Sequence, residues 1–295
     1  MAKLYDQAYF NQKIVPVGEA NLSIASSAVL YGLSIYTVFY IYPDNDGYRA
    51  FRIEDHYNRL RSSAKIIGLD WPAYLTFGAF NKIIKELIGA NKPSEPVFVR
   101  ATLHADGLIP GTRAKGVSTQ LSAFVYESQP IMKPTGVRLK TSQWRRIPDN
   151  SIPSRAKVNG AYINSVLAHQ DALDAGYDDC IFLDQAGHVC ELAAANIFMV
   201  RGGKLITPDT SSDLLEGINR RAIIELAEKE GIPVQERAID LTELYIADEV
   251  FVCGTSAFVA SVAEIDGRTI DETNNPITKK IALLHGKAIQ NGDYL

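Results

Sequence analysis

The distribution of hydrophobic and polar residues over the first 126 positions predicts a small domain of strands and two helices. Residues 34–41 are rich in β-branched and aromatic side chains, and the turn residues at 43–47 predict that this strand forms a hairpin with the next segment. Apolar residues then recur at helical spacing until Gly68, a residue typical of helix ends. The pattern predicts strands at 34–41, 48–52, 96–104 and 117–126, and helices at 53–67 and 74–88.

The rest of the chain predicts a second, larger domain. Residues 127–136 carry two prolines in an otherwise featureless stretch, and we interpret them as the linker between domains 1–126 and 137–295. Beyond the linker, the pattern predicts strands at 137–141, 180–183, 189–191, 196–201, 204–206 and 249–253, and helices at 161–176 and 219–230. The first of these helices is predicted to turn three apolar residues inward: Val166, Leu167 and Leu173. The fold class is therefore α+β.

Composition excludes several classes of function. Of 295 residues, 46% are hydrophobic and 22% charged, as in a globular protein with a sizeable core. The net charge of −4 and the lack of a Lys/Arg cluster argue against nucleic acid. The three cysteines and five histidines lack metal-site spacing. The N-terminus has no apolar core of a signal peptide, and residues 35–42 are too short to span a bilayer. We expect a cytoplasmic protein with no metal, nucleic acid or membrane as partner.

The candidate chemistry begins at Lys157, which precedes Asn159-Gly160 in a loop-like segment. A lysine in such a loop, taken alone, is usually a solvated side chain. Glu191 ends a strand between apolar neighbours, so it is either a solvated strand end or a buried partner for a cationic ring N–H. Asn196 either holds Glu191 in place or belongs to an ordinary turn.

A candidate anion site follows further along the chain. Residues 217–219 open a helix, where backbone N–H groups and the helix dipole favour an anion, although plain capping gives the same pattern. Thr255 and Ser256 follow a glycine after a strand, a place for an anion nest. Arg59 adds a positive charge to helix 53–67, or belongs to a solvated helix face. An amine, a carboxylate and an anion site in this order predict pyridoxal phosphate (PLP) as cofactor.

The order and spacing of these motifs resemble the class IV, or fold type IV, PLP-dependent aminotransferases, and most of all their branched-chain members. The resemblance covers almost the whole chain. It implies a two-domain α+β fold of the D-amino acid aminotransferase type, with the active site at the domain interface. The segments that carry it are residues 30–34, 54–60, 98–100, 152–162, 191–198, 215–220 and 244–255.

The resemblance also implies a role for each candidate residue. Lys157 would form the Schiff base and shuttle the proton, Tyr162 would bind the phenolate oxygen, and Glu191 would bind the ring nitrogen. Other cofactor-binding residues would be Arg59, Asn196, Gly217, Ile218, Asn219 and Thr255. Substrate-binding residues would be Tyr31, Tyr36, Val38, Phe98, Arg100, Arg113, Ser256 and Ala257. Because Tyr31 would reach the neighbouring subunit's site, the resemblance implies a homodimer or an assembly of dimers.

The implied reaction moves an amino group between an L-branched-chain amino acid and a 2-oxo acid such as 2-oxoglutarate. Branched-chain enzymes typically have glycine where this chain has Val38, arginine at Tyr40 and tyrosine at Phe98. A methylene or two in a pocket wall changes substrate discrimination by about 1–3 kcal/mol. Arg113 is an alternative to Arg100 as the carboxylate clamp. The alternatives left open are a D-amino acid or (R)-amine transaminase, an aminodeoxychorismate lyase-like enzyme, and a catalytically silent binding protein on the same fold.

Overall fold

The computed structural model describes residues 3–44, 47–108, 111–127, 130–270 and 275–295. Residues 45–46 of the predicted hairpin turn, 128–129 of the predicted linker and 109–110 of the loop before Arg113 lie outside the described residues. The chain divides into two compact units. Unit 1 comprises Met1–Gln129, Ala156–Gly160 and Ala288–Leu295, and unit 2 comprises Pro130–Arg155 and Ala161–Lys287. Lys157 therefore belongs to unit 1, whereas the sequence-based division assigns it to the C-terminal domain.

The elements have the following bounds. The strands are β1 (Leu4–Phe10), β2 (Lys13–Pro16), β3 (Ser34–Asp44), β4 (Gly47–Ala50), β5 (Val97–Ala105), β6 (Thr119–Glu127), β7 (Val137–Thr141), β8 (Asp179–Leu183), β9 (Val189–Leu192), β10 (Asn196–Arg201), β11 (Lys204–Thr207), β12 (Val234–Glu236), β13 (Glu249–Gly254), β14 (Phe258–Ile265), β15 (Arg268–Thr269) and β16 (Asp293–Tyr294). The α-helices are α1 (Ser27–Tyr31), α2 (Ile53–Ile67), α3 (Phe77–Asn91), α4 (Tyr162–Asp174), α5 (Ile218–Lys229), α6 (Leu241–Leu244) and α7 (Pro276–Gln290), and Val17–Glu19 forms a short 3-10 helix.

Unit 1 is built on an antiparallel sheet in the order β16-β4-β3-β5-β6-β1-β2. Since side chains alternate between the two faces of a strand, odd-numbered residues of β3 point to one face and even-numbered residues to the other. The odd face packs against α2 and α3: the Phe39 ring lies 5.4 Å from His56 and 6.1 Å from Phe80. The even face of β3 presents Tyr36 and Val38.

The predicted helix at 53–67 is confirmed by α2, which ends at Gly68 in the left-handed conformation with φ 74°. The second predicted helix is displaced by three residues. It begins at Phe77 because the Thr76 hydroxyl caps it by accepting from the Ala79 N–H at 3.2 Å. It continues past Gly89 to Asn91, whose side-chain amide donates to the Gln7 carbonyl and accepts from the Gln7 N–H of β1, both at 3.0 Å.

Unit 2 contains a nine-stranded mixed sheet in the order β12-β11-β10-β13-β14-β7-β8-β9, with β15 paired to β14. Strand β7 runs parallel to both of its neighbours, whereas β10 and β13 are antiparallel. Helices α5 and α7 pack on one side of the sheet, where Ile223 and Ile281 join Phe198 and Phe251 in a buried cluster. This cluster places the start of α5 beside the end of β13.

The predicted orientation of α4 is wrong. Val166, Leu167 and Leu173 are 59%, 41% and 46% exposed, and the buried face carries small residues such as Ala168 and Ala172. These alanines pack with Phe182 of β8 because small side chains let the helix backbone approach the strand closely. The outer face of α4 is consequently apolar.

All three cysteines are free and buried, and burial raises the pKa of each thiol. Among the described residues, no helix combines the length and apolarity needed to cross a membrane. The same residues include no group of three or more His, Cys, Asp or Glu side chains that could hold a metal ion.

Candidate active site

In unit 1, the segment that carries Lys157 is tied by its backbone to β3 and α2. The Lys157 N–H donates to the Ser63 hydroxyl at 3.1 Å, and the Tyr36 N–H donates to the Lys157 carbonyl at 3.0 Å. Gly32 approaches Gly160 so closely that a Cβ on Gly32 would lie 2.9 Å from the Gly160 Cα, and Gly32 has a φ of +64°. Backbone hydrogen bonds and close glycine contact therefore set the position of Lys157.

Two cations lie against the ring of Tyr36. The Lys157 Nζ is 4.9 Å from the ring centroid, and the Arg100 Cζ is 3.7 Å from it. Arg100 also donates from Nη2 to the Asn159 Oδ1 at 2.5 Å, while the Asn159 Nδ2 donates to the Ser34 hydroxyl at 2.7 Å. Arg100 is thereby oriented by a side chain of the lysine segment.

An aromatic and apolar wall surrounds Arg100 on the same face of the sheet. In the strand register, Arg100 lies opposite Val38 of β3 and Phe124 of β6. Phe98, one pair further along β5, has its ring 5.6 Å from Tyr40. The remaining predicted substrate-binding residues of unit 1 are both exposed: Tyr31 on α1 and Arg113 in the β5–β6 loop.

His104 lies on the same face as Arg100, four residues along β5. Burial and the nearby Arg100 charge lower the pKa of His104 to about 4, so its imidazole is neutral at physiological pH. His104 shares a 2.8 Å hydrogen bond with the Ser122 hydroxyl. His104 therefore adds no positive charge beside Arg100.

Arg59 on α2 points toward the β3 strand. Its Nη2 donates to the Thr37 hydroxyl at 3.4 Å, and Thr37 in turn shares a 2.7 Å hydrogen bond with His56 Nδ1. The predicted phosphate arginine is thus half-buried and held at the sheet, instead of lying on a solvated helix face.

In unit 2, Glu191 is a buried carboxylate that accepts from a guanidinium, a backbone N–H and a side-chain amide. Arg146 Nη2 forms an ion pair with its Oε1 at 2.8 Å, and both side chains are largely buried, at 12% and 8% exposed. The Leu215 N–H and the Asn196 Nδ2 donate to its Oε2 at 3.2 and 3.3 Å. Asn196 Nδ2 also donates to the Leu215 carbonyl at 3.0 Å. Asn196 therefore links Glu191 to the loop that leads into α5.

The start of α5 is packed tightly against this arrangement. A Cβ on Gly217 would overlap the Asn196 Oδ1 and lie 3.3 Å from the Arg220 Cβ. Gly217 has an ordinary extended backbone, with φ −66° and ψ 135°, so the constraint at this position is space. Only glycine fits here without displacing Asn196 or the first turn of α5.

Replacing Gly217 by alanine is therefore expected to lower the melting temperature by several degrees and to weaken cofactor binding. Overpacking of this kind costs about 1–3 kcal/mol. Calorimetry of the apoprotein and a cofactor titration measure the two effects. The matched control is Gly89→Ala on α3, where a Cβ meets nothing within 4 Å and alanine is favoured by about 0.5–1 kcal/mol. Equal melting temperatures and affinities for Gly217→Ala and the wild type would contradict the steric argument.

The other predicted cofactor-binding residues of unit 2 lie around the start of α5 and the end of β13. Ile218 and Asn219 are the first two residues of α5, and both are buried. The Asn219 Nδ2 donates to the Thr255 hydroxyl at 3.2 Å, which joins the helix start to the residue after β13. Tyr162 is half-buried at the start of α4, while Ser256 and Ala257 follow Thr255.

These two sets of residues fit the chemistry of PLP. The first turn of α5 is joined to the Thr255 hydroxyl through the Asn219 side chain, and the N–H groups of a helix start together with a hydroxyl suit an anion. The Glu191 carboxylate, whose charge Arg146 compensates, has the chemistry of a partner for a ring N–H. Lys157 supplies the amine.

Sequence reasoning missed three residues that organise these sets: Arg146, Asn159 and His285. Arg146 is one of two adjacent arginines, and no local pattern distinguishes it from Arg145. Asn159 precedes Gly160, and an asparagine before a glycine is typical of an ordinary turn. His285 lies 66 residues from its partner Asn219. Their partners are distant in sequence, so a pattern of neighbouring residues carries no signal for them.

Comparison with known proteins agrees with the geometry. The model of the family "Amino-transferase class IV" matches residues 34–265. The chain is 37% identical to the probable branched-chain-amino-acid aminotransferase of Aquifex aeolicus (strain VF5), over 97% of this chain and 93% of that one. The structure of the branched-chain aminotransferase of Thermoproteus uzoniensis with norvaline is similar at a TM-score of 0.93 and 33% identity, covering 97% of this chain and 95% of that chain.

A second structure bears on the cofactor. The branched-chain amino acid aminotransferase of Thermobaculum terrenum, in its PLP form, matches at a TM-score of 0.90 and 30% identity over 98% of this chain and 95% of that chain. The predicted two-domain α+β fold and the predicted PLP cofactor are confirmed. The chain belongs to the class IV aminotransferase family.

Proposed function

We propose that this protein transfers an amino group between an L-branched-chain amino acid, such as leucine, isoleucine or valine, and a 2-oxo acid such as 2-oxoglutarate. The names of its relatives support this substrate class. The observation that carries the proposal is the placement of Lys157 and Arg100 against the single ring of Tyr36. This arrangement brings the reactive amine and a carboxylate-binding cation together.

The chain's own residues divide the work as follows. When bound, PLP supplies the electron sink that makes a proton on the substrate Cα acidic. Lys157 would attach the cofactor and would move the proton at that Cα. Glu191, itself held by Asn196, would hold the proton of the ring nitrogen, and Tyr162 would bind the phenolate oxygen. Arg59, the N–H groups at 217–219 and Thr255 would bind the phosphate.

Substrate selection is assigned to the wall around Arg100. Its apolar and aromatic members, including Val38 and Phe98, would contact the substrate side chain, and Arg100 would bind a carboxylate. Tyr31, Tyr36, Ser256 and Ala257 would complete the substrate contacts. Val38 adds volume where branched-chain enzymes typically have glycine. The preferred side chain is therefore expected to differ in size from that of a typical family member.

The test of the function is the visible absorption spectrum of the holoenzyme before and after L-leucine is added. Loss of the visible band with L-leucine, followed by its return with 2-oxoglutarate, is the expected result. D-alanine and (R)-1-phenylethylamine are added in parallel to separate other transaminase specificities. A band that responds only to one of these would replace the branched-chain proposal, and pyruvate release from aminodeoxychorismate would replace amino transfer by elimination.

Replacing Arg100 by methionine is expected to lower kcat/KM for 2-oxoglutarate by about 10–100-fold. Methionine keeps the apolar stem but removes a charge-assisted hydrogen bond, worth about 1.5–3 kcal/mol. Steady-state kinetics measure the loss, with Lys82→Met on the exposed side of α3 as the control. Arg113→Met is made in parallel, and a loss confined to that variant would assign the carboxylate clamp to Arg113.

We further propose that the protein is a homodimer. The outer face of α4 exposes Ile163, Val166 and Leu167, and α1 exposes Leu30 and Tyr31. Exposed apolar surface, such as each of these helices presents, marks protein interfaces. Sedimentation velocity should give the mass of a dimer for the wild type and a shift toward monomer for Val166→Glu. A wild-type chain that sediments as a monomer at micromolar concentration would overturn this proposal.

A cytoplasmic location is also proposed, because the three cysteines are free thiols. Cell fractionation tests it, and recovery of the protein with secreted material would contradict it.

A further inference from the structure

One buried histidine of unit 2 lies behind the start of α5. His285 on α7 is 1% exposed, and its Nε2 lies 2.8 Å from the Oδ1 of Asn219. Asn219, which is 5% exposed, donates from Nδ2 to the Thr255 hydroxyl oxygen at 3.2 Å. Three side chains from α7, α5 and the end of β13 thus form one hydrogen-bond chain.

The direction of this chain follows from its donors and acceptors. An amide oxygen only accepts, so the hydrogen between His285 and Asn219 is carried by His285 Nε2. The Asn219 Nδ2 then donates to Thr255, and the Thr255 hydroxyl accepts. A hydroxyl carries one hydrogen beside its two acceptor lone pairs, so accepting from the amide restricts the directions in which that hydrogen points. A phosphate, which accepts hydrogen bonds, is the partner that this direction favours.

The position of His285 is set by α7 as a whole. Glu249, which is buried, accepts at its carboxylate from the N–H groups of Ile277 and Thr278 at 3.1 and 2.7 Å, in the first turn of the helix. Ile281, one turn before His285, packs in the cluster that includes Ile223 of α5. Capping and packing therefore hold the imidazole at a constant position relative to the start of α5.

We propose that His285 is a positioning residue of the phosphate site: it orients the Asn219 amide, which in turn directs the Thr255 hydroxyl to the phosphate. His285 does not touch the cofactor and acts through Asn219. This inference rests on the proposed function, in which the start of α5 and Thr255 bind the phosphate. It assigns a specific role to a buried histidine that the reaction itself does not use.

The test compares His285→Leu with His285→Gln in binding to the apoprotein. Leucine fills the core but donates no hydrogen bond, whereas the glutamine Nε2 restores a donor near the position of the histidine Nε2. The probe is pyridoxamine 5′-phosphate, which has no aldehyde and therefore reports on the phosphate site without a bond to Lys157. Pyridoxamine, which lacks the phosphate, is the matched ligand, and isothermal titration calorimetry gives both dissociation constants.

The expected result is a loss that is specific to the phosphate. His285→Leu should raise the dissociation constant of pyridoxamine 5′-phosphate about tenfold, the effect of losing one hydrogen bond. The dissociation constant of pyridoxamine should stay unchanged, and His285→Gln should recover most of the loss. The ³¹P resonance of the bound phosphate should shift in His285→Leu and return in His285→Gln. In a Thr255→Val background, His285→Leu should have no further effect.

Each other outcome is decisive. Equal losses for both ligands would mean that His285 only supports the core, and this would overturn the inference. A second outcome is that the wild type prefers pyridoxamine 5′-phosphate to pyridoxamine and that His285→Leu binds it as tightly as the wild type does. That result would overturn the inference about His285 and leave the proposed function standing. A wild-type apoprotein with no such preference would remove the proposed phosphate site itself. If His285→Leu does not fold, His285→Phe, which keeps a ring in the core but donates no hydrogen bond, takes its place and must show the phosphate-specific loss.

Discussion

Replacing Lys157 by alanine is expected to lower turnover by several orders of magnitude. The side chain supplies both the amine that attaches the cofactor and the group that moves the proton at the substrate Cα, so one substitution removes two steps. The segment around Lys157 is held by backbone hydrogen bonds to Ser63 and Tyr36, which the substitution leaves in place. The loss should therefore appear in kcat with little change in the melting temperature.

Two further variants sharpen the test of Lys157. Lys157→Arg keeps a positive charge against the Tyr36 ring but cannot act as a nucleophile near neutral pH, and it should be as inactive as the alanine variant. Lys82→Ala, on the exposed face of α3, should behave as the wild type. Near-normal activity in Lys157→Ala would refute the assignment of this residue.

The second large effect is expected at Glu191. Glu191→Gln keeps the shape of the side chain but removes the negative charge that holds the ring N–H, and turnover should fall about 100-fold or more. The same change leaves the Arg146 charge largely buried without its partner carboxylate. Breaking such a pair from one side costs about 3–5 kcal/mol, so the melting temperature should fall as well.

The double variant Arg146→Met with Glu191→Gln separates these two consequences. Removing the cation together with the anion should restore most of the stability, because no uncompensated charge stays buried. Turnover should remain low, because the carboxylate is still absent. Calorimetry and steady-state kinetics on the single and double variants measure both quantities. Recovery of turnover in the double variant would show that Glu191 acts only through stability.

The control is Glu86→Gln, which breaks an exposed ion pair with Lys82. It should lower the free energy of unfolding by less than about 1 kcal/mol.

Local patterns in the sequence determined many of the elements. The helix at 53–67 is correct at both ends because its apolar residues recur at helical spacing and a glycine is available for the left-handed cap. Strands β7 and β10 match the predicted bounds because runs of β-branched and apolar residues are bounded by turns. The order of motifs from Lys157 to Thr255 was sufficient to identify the family. All of this information lies within short stretches of chain.

Orientation against a neighbour was decided by the tertiary structure. The most apolar residues of α4, among them Val166 and Leu167, face outward, and its alanines face β8. A hydrophobic pattern shows which side chains are apolar but does not show what buries them. The same pattern is consistent with burial against another element of this chain or against a second chain. The sequence therefore predicted the helix and not the face that it buries.

The contacts that orient the candidate site were also decided by the tertiary structure. Arg146 meets Glu191 across 45 positions of sequence, His285 meets Asn219 across 66, and Asn159 meets Arg100 across 59. Each of these pairs depends on how strands and helices pack, and the residue types alone are common on protein surfaces. The sequence by itself determined which chemical groups are available, whereas only folding, by bringing distant segments together, decided which of them hold one another in place.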